Sequence, residues 1–203
     1  MILFKKLRFY RWYLLGRWKI KNQIKKADPL MIVLGSANTN YKGWISTDLP
    51  HFNILKENDW SFFFRFNSIN NLLAEHVLEH LTEEQVEKAL SIAAKYLKTK
   101  GCFRIAVPDK NHPNPEYIKF VKPGGLGAGA DDHKSFWNFN TLTEIAKKYN
   151  FAVKLLEYCT KEKVIKTTNF SNKKGIIKRS LSKGFKSEIE NYSSLIVDLE
   201  KIL

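Results

Sequence analysis

The hydrophobic pattern of this chain alternates short apolar runs with longer stretches of helical period. Met31-Ile32-Val33-Leu34 stops at Gly35, which predicts a strand buried on both faces and then a turn. Gly43–Asp48 (GWISTD) alternates into a second predicted strand that ends on an acid. Further strands are predicted around Ile54-Leu55, at Ile69–Leu73, Cys102–Val107 and Phe151–Tyr158, and at Tyr192–Glu200. Val86, Ala89, Leu90, Ala93 and Leu97 share one helical stripe. Thr82 and Gln85 form a capping box at its start, and Lys98–Gly101 supplies a cationic end with a glycine stop. Leu142, Ile145, Ala146 and Tyr149 mark another helix. Near the beginning, Leu3, Leu7, Tyr10, Leu14 and Trp18 fall at helical spacing, with Trp12 and Tyr13 off the stripe. Phe62, Phe63, Phe64 and Phe66 are expected as packing residues. Strands alternating with helices predict an α/β fold, a mostly parallel sheet with helices on both faces.

Composition changes this picture little, but charge changes it more. A chain of 203 residues with 44% hydrophobic content is most simply one domain with a full core, and it is not a disordered chain. The net charge of +14 is concentrated: residues 1–27 carry nine Lys or Arg and no acid, and residues 161–187 carry nine more against Glu162. The expected organisation is a basic amphipathic extension over 1–28, then a domain over 29–203 with a basic insertion or hairpin at about 161–187. A helix of the first kind lies on an anionic membrane surface, so peripheral contact through residues 1–26 is an expectation. The insertion suits an anionic or sugar-linked small-molecule acceptor. Nucleic acid is disfavoured, because no zinc-finger, RNA-recognition or helix-turn-helix signature accompanies the charge. Cys102 and Cys159 lie far apart without metal-ligand spacing, which fits a reducing cytoplasmic compartment, with docking at the inner membrane face. No apolar run is long enough to span a bilayer.

Candidate chemistry sits at the predicted carboxyl ends of strands. Gly35-Ser36-Ala37-Asn38 are small enough for a backbone to approach a ligand, and Asp48 ends the next strand. In α/β folds this pairing holds adenosyl cofactors, the acid accepting from the ribose hydroxyls. Asn53 is placed to reach an adenine edge, or else is a polar turn residue. Four residues are candidates for a general base: His76, Asp109, His112 and His133. His133, within Asp131-Asp132-His133-Lys134, is favoured because neighbouring carboxylates orient an imidazole; Asp109 is second. Three ligands on one short stretch are too few for a metal site, and none is expected. The Gly124–Ala130 run reads as a flexible lid, since no P-loop lysine follows it.

Several of these segments together resemble a known family. GWxxxD, AEHVLEHL (Ala74–Leu81), RIAVPD (Arg104–Asp109), HPNPEYI (His112–Ile118), GGLGAGADDHK (Gly124–Lys134), LLEY (Leu155–Tyr158) and YSSLIVD (Tyr192–Asp198) occur in order. In this the chain resembles class I S-adenosylmethionine-dependent methyltransferases, specifically predicted methyltransferases, some of which sit in surface-polysaccharide pathways. The resemblance implies a Rossmann-like, seven-stranded, mostly parallel sheet with an antiparallel last strand, and S-adenosyl-L-methionine as cofactor. It implies that Gly35, Ser36 and Ala37 face the methionine part, that Asp48 holds the ribose, and that Glu75, His76 and Val77 flank the sulfonium. Leu49 and Asn53 complete the expected cofactor set; His112, Tyr117 and Asp132 are expected to meet the acceptor, an oxygen of a sugar or other small polar molecule. The family usually has a second glycine where Ala37 stands. Alanine is tolerated there at negative φ and costs binding at positive φ.

Overall fold

The computed structural model describes residues 2–37, 39–183 and 192–202. Asn38, positions 184–187 of the basic insertion and the side chain of Leu3 lie outside the described residues. In chain order the elements are α1 (Ile2–Lys26), β1 (Met31–Val33), β2 (Ile45–Ser46), α2 (Glu57–Phe63), β3 (Ile69–Glu75) and α3 (Glu83–Tyr96). Then come β4 (Leu97–Pro108), α4 (Pro115–Val121), α5 (Phe139–Lys147), β5 (Phe151–Cys159), β6 (Ile165–Thr167) and β7 (Ser194–Lys201). Seven strands form one sheet in the order β2-β1-β3-β4-β7-β5-β6. β1 pairs in parallel with β2 on one side and β3 on the other, and β3 pairs in parallel with β4. β7 runs antiparallel between β4 and β5, and β6 is antiparallel to β5.

The alternation of the strands assigns their side chains to two faces. Ile32, Leu72, Ile105 and Val197 join a core built with Trp60 of α2, Leu90 of α3 and Leu142 of α5. Their neighbours Val33, Leu73, Ala106 and Ile196 face the other way, where Ile177 and Phe170 of the basic stretch cover them. The basic stretch, with its two short 3₁₀ turns, is therefore the lid of a second small core. Arg104 on β4 and Asp198 opposite it on β7 fasten that lid. The guanidinium grips Asp198 at 2.7 and 2.9 Å and donates its remaining Nη1 protons to the carbonyls of Ser171 and Gly175.

Three local expectations are corrected. Ile54-Leu55 forms a turn, and the seventh strand is instead β6, inside the basic stretch. Gly101 does not stop α3: the helix ends at Tyr96 and β4 begins at once at Leu97, with Lys100 in the left-handed region. A Cβ at Gly101 would stand 2.7 Å from the Lys98 carbonyl, so the glycine serves a strand irregularity. Of the phenylalanine run, Phe63 and Phe64 are buried but Phe62 and Phe66 are exposed. The capping box at Thr82 and Gln85 forms as expected.

α1 packs by a different side from its apolar stripe. Tyr13, Gly16, Arg17 and Ile20 face the body, and Ile24 joins the core edge. Arg17 is the anchor: it pairs with Asp59 at 2.8 Å, donates to the His51 carbonyl at 2.8 Å and lies over the Phe62 ring. Gly16 is required for this approach, since a Cβ would fall 2.2 Å from the His51 ring.

Candidate functional site

The chain leaves β1 for β2 on one side and returns to β3 on the other, so the carboxyl ends of β1 and β3 diverge into a crevice. Three cavities open there, and His76 lines all three. The first, about 280 Å³, is walled by Gly35, Ser36, Ala37, Tyr41, Glu75 and Arg179, with Thr39 and Lys178 at its rim. The second, about 360 Å³, shares Gly35 and adds Asp48, Leu49, Asn53, Val77, His80 and Asp132. The third, about 220 Å³, is bounded by Glu79, His80, His133 and the Phe120–Ala130 turn. Sizes of this order suit small-molecule sites.

The turn after β1 is shaped by its backbone. Gly35 has φ +59°, and a Cβ there would also meet Val77 at 2.7 Å, so glycine is demanded twice. Ala37 has φ +46°, in the left-handed region that disfavours a side chain. Asp48 holds the turn closed: its Oδ2 accepts from the Ala37 amide at 2.6 Å and its Oδ1 from the Leu49 amide at 2.7 Å. Those bonds leave roughly half of the carboxylate's acceptor sites for hydroxyls in the cavity. The Tyr41 hydroxyl is buried without a hydrogen-bond partner and faces the first cavity. Burial and then the nearby Glu75 charge push its pKa up to about 12, so it stays a neutral donor.

His76 is the hinge of the crevice. Its φ is +54°, its amide donates to the Ala106 carbonyl, and its Nε2 lies 2.9 Å from Ser194 Oγ. Its Nδ1 faces both Glu79 Oε1 at 2.9 Å and Arg179 Nη1 at 3.2 Å. Burial pushes Glu79 up, but the His76 charge and contact, with His80 beyond, more than offset this and hold it below the usual carboxylate range. His133 donates Nδ1–H to the Val121 carbonyl at 2.6 Å, which leaves Nε2 as the basic nitrogen. Its ring stands edge-on to His80, whose Nδ1 lies 3.2 Å from Asp132. The donor atoms of Glu79, His80 and His133 lie within 4.8 Å of one another, close enough for the three to share a metal ion, which the sequence did not lead one to expect. The turn Gly124–Ala130 is closed by backbone bonds, including the Gly127 amide to the Phe120 carbonyl and the Gly124 amide to that of Ala130, and it walls the third cavity.

The structure thus brings together Gly35, Ser36, Ala37, Asp48, Leu49, Asn53, Glu75, His76, Val77, Asp132 and His133 around one crevice. It places three others away from the cavities. Asp109 is fully buried and accepts from the amides of Asn111 and Cys159 and from the Tyr192 hydroxyl. Every oxygen is committed, and burial raises its pKa by more than those hydrogen bonds lower it, so it anchors a strand tip. His112 is buried between the rings of Tyr117 and Tyr192, with Nε2 against the Tyr192 carbonyl. Tyr117 is buried and donates to the Ser193 carbonyl. These HP-motif residues pack the end of β7.

Sequence reasoning missed Tyr41, Lys178 and Arg179. The two cations come from the basic stretch, which is held in reach of the crevice at both ends. Arg104 grips it at Ser171 and Gly175, and the buried Glu157 carboxylate accepts from Ser180 Oγ and the amides of Leu181 and Ser182. Arg179 also donates its amide to Glu75, and Lys178 reaches Thr39 at 3.0 Å. Net positive charge in the stretch was the available signal; nothing local says which of its nine cations turns inward.

No family model matches the chain, and no curated protein does. Solved structures do match. A SAM-dependent methyltransferase from Archaeoglobus fulgidus aligns over 93% of this chain and 94% of its own, at 14% identity and a TM-score of 0.50. SAM-dependent methyltransferases from Thermotoga maritima, at 12% identity and TM-score 0.48 over 98% of this chain and 95% of that one, and from Listeria monocytogenes, at 10% and 0.48 over 93% and 99%, are also similar. At these identities it is the fold that is shared: the chain has the Rossmann-like, class I methyltransferase fold.

Proposed function

We propose that this protein is an S-adenosylmethionine-dependent methyltransferase that methylates an oxygen of a small polar acceptor, such as a sugar hydroxyl. The observation that carries the reading is the meeting of three cavities at His76, beyond the carboxyl ends of β1–β3. The residues present fit the cofactor. Asp48 and Asn53, with the exposed Leu49, suit the nucleoside. Tyr41, whose buried hydroxyl has no partner, and the cations Lys178 and Arg179 suit the amino acid end. When bound, the cofactor supplies an electrophilic methyl group on a sulfonium.

The protein's share of the reaction is positioning and proton handling. The crevice holds donor and acceptor in line and excludes water. His133, its Nδ1–H spent on the Val121 carbonyl, presents Nε2 as acceptor for the hydroxyl proton. Glu79, buried and anionic beside the histidines, favours the imidazolium that results. A second reading, a non-catalytic module on this fold, is favoured by one observation, the positive φ of Ala37.

An acceptor screen that follows S-adenosylhomocysteine release, using nucleotide-linked and lipid-linked sugars, tests the proposal. The expected result is turnover that His133→Ala lowers by about a hundredfold or more while cofactor binding persists. Full turnover in that variant overturns the base assignment, and absence of cofactor affinity in the wild type supports the second reading.

A further inference from the structure

We propose that α1 docks this protein on an anionic lipid bilayer. Seven of the fifteen exposed large hydrophobic side chains among the described residues belong to this one helix. Leu7, Tyr10, Leu14 and Trp18 recur at helical spacing on a side left exposed among the described residues; Leu7 is 66% exposed and Trp18 62%. Packing does not explain them. The helix is fixed to the body by Tyr13, Gly16, Arg17 and Ile20, so the stripe takes no part in that packing.

The charge beside the stripe selects the partner. α1 has nine basic residues and no acidic one, and Arg8, Arg11 and Lys19 flank the apolar positions while Arg17 alone is buried. A second copy of the chain set against this face would bring the same charges together, since a two-fold interface is self-complementary. A nucleic acid would answer the charges and leave leucines and tryptophan in water. An anionic bilayer answers both, taking the apolar side chains at the acyl boundary and the cations at the headgroups. No helix among the described residues is long and apolar enough to cross a membrane, so the contact is with one surface.

The docked helix would stand one loop from the crevice. His51, between Asp48 and Asn53 of the second cavity, packs against Trp12 at a ring distance of 4.4 Å and holds Arg17 through its carbonyl. A lipid-borne acceptor would therefore reach the site without leaving the surface. The docking itself does not depend on catalysis.

Sedimentation of the full chain with phosphatidylcholine vesicles, with and without phosphatidylglycerol, tests this. Binding to anionic vesicles is expected, weakened but not abolished by salt. Leu14→Glu and Trp18→Glu, both exposed positions, should bind roughly tenfold more weakly or worse with unchanged circular dichroism. No sedimentation of the folded wild type overturns the proposal. So does equal binding by the variants, which would mean charge alone acts as it would toward RNA. A wild-type dimer that the variants dissociate, seen by light scattering, also overturns it in favour of a second copy.

Discussion

Ala37 is the position where a single methyl group matters most. It sits at φ +46° in the turn that closes over the first cavity, and its amide is held by Asp48. An L-residue in the left-handed region carries a strain of roughly 1–2 kcal/mol that glycine does not. Ala37→Gly should therefore stabilise the protein by about 1 kcal/mol in chemical denaturation, after the greater unfolded-state freedom of glycine is set against it. Lower stability in the variant would show that the Ala37 side chain packs usefully. Gly35 is the opposite case, since both its positive φ and the nearness of Val77 forbid a side chain.

Elements were legible in the sequence where one residue pattern decides them. The apolar run of β1, the capping box of α3 and the strand over Cys102–Val107 depend on local spacing, and they form. The same logic put Gly35, Asp48 and His76 at strand ends, and these residues line cavities of one crevice. What failed depended on contacts distant in sequence. The stripe of α1 was visible, but which face the body takes is decided by Arg17 finding Asp59 and by His51 fitting over Gly16. Asp109 and His112 looked like catalytic residues because their type and motif suit chemistry. Only Tyr192 and Tyr117, brought by the return of β7 and by α4, show them to be packed.

The basic stretch is the other such element, and it carries its own prediction. Arg104, Asp198 and Glu157 pin it so that Lys178 and Arg179 face the first cavity. Arg179→Ala should weaken S-adenosylmethionine binding about tenfold, the scale of one charge-assisted contact, and leave methylthioadenosine, which lacks the carboxylate, unaffected. Equal loss for both ligands would make Arg179 a support for Glu75 and His76 instead.

At the scale of the whole molecule, two basic segments serve different ends of one design. One is folded back over the sheet, where its apolar residues complete a core and its cations meet the crevice; the other packs on the body by one side and leaves the stripe Leu7, Tyr10, Leu14 and Trp18 exposed. Between them lies the crevice at the divergence of β1 and β3, the kind of switch point at which open α/β sheets take ligands. The most direct measurement is calorimetric titration of the purified protein with S-adenosylmethionine and S-adenosylhomocysteine, with Asp48→Ala alongside. Saturable binding of both ligands, lost in the variant, is the predicted result. No heat of binding to a protein shown to be folded would contradict the cofactor site, and with it the assignment of this chain as an active methyltransferase.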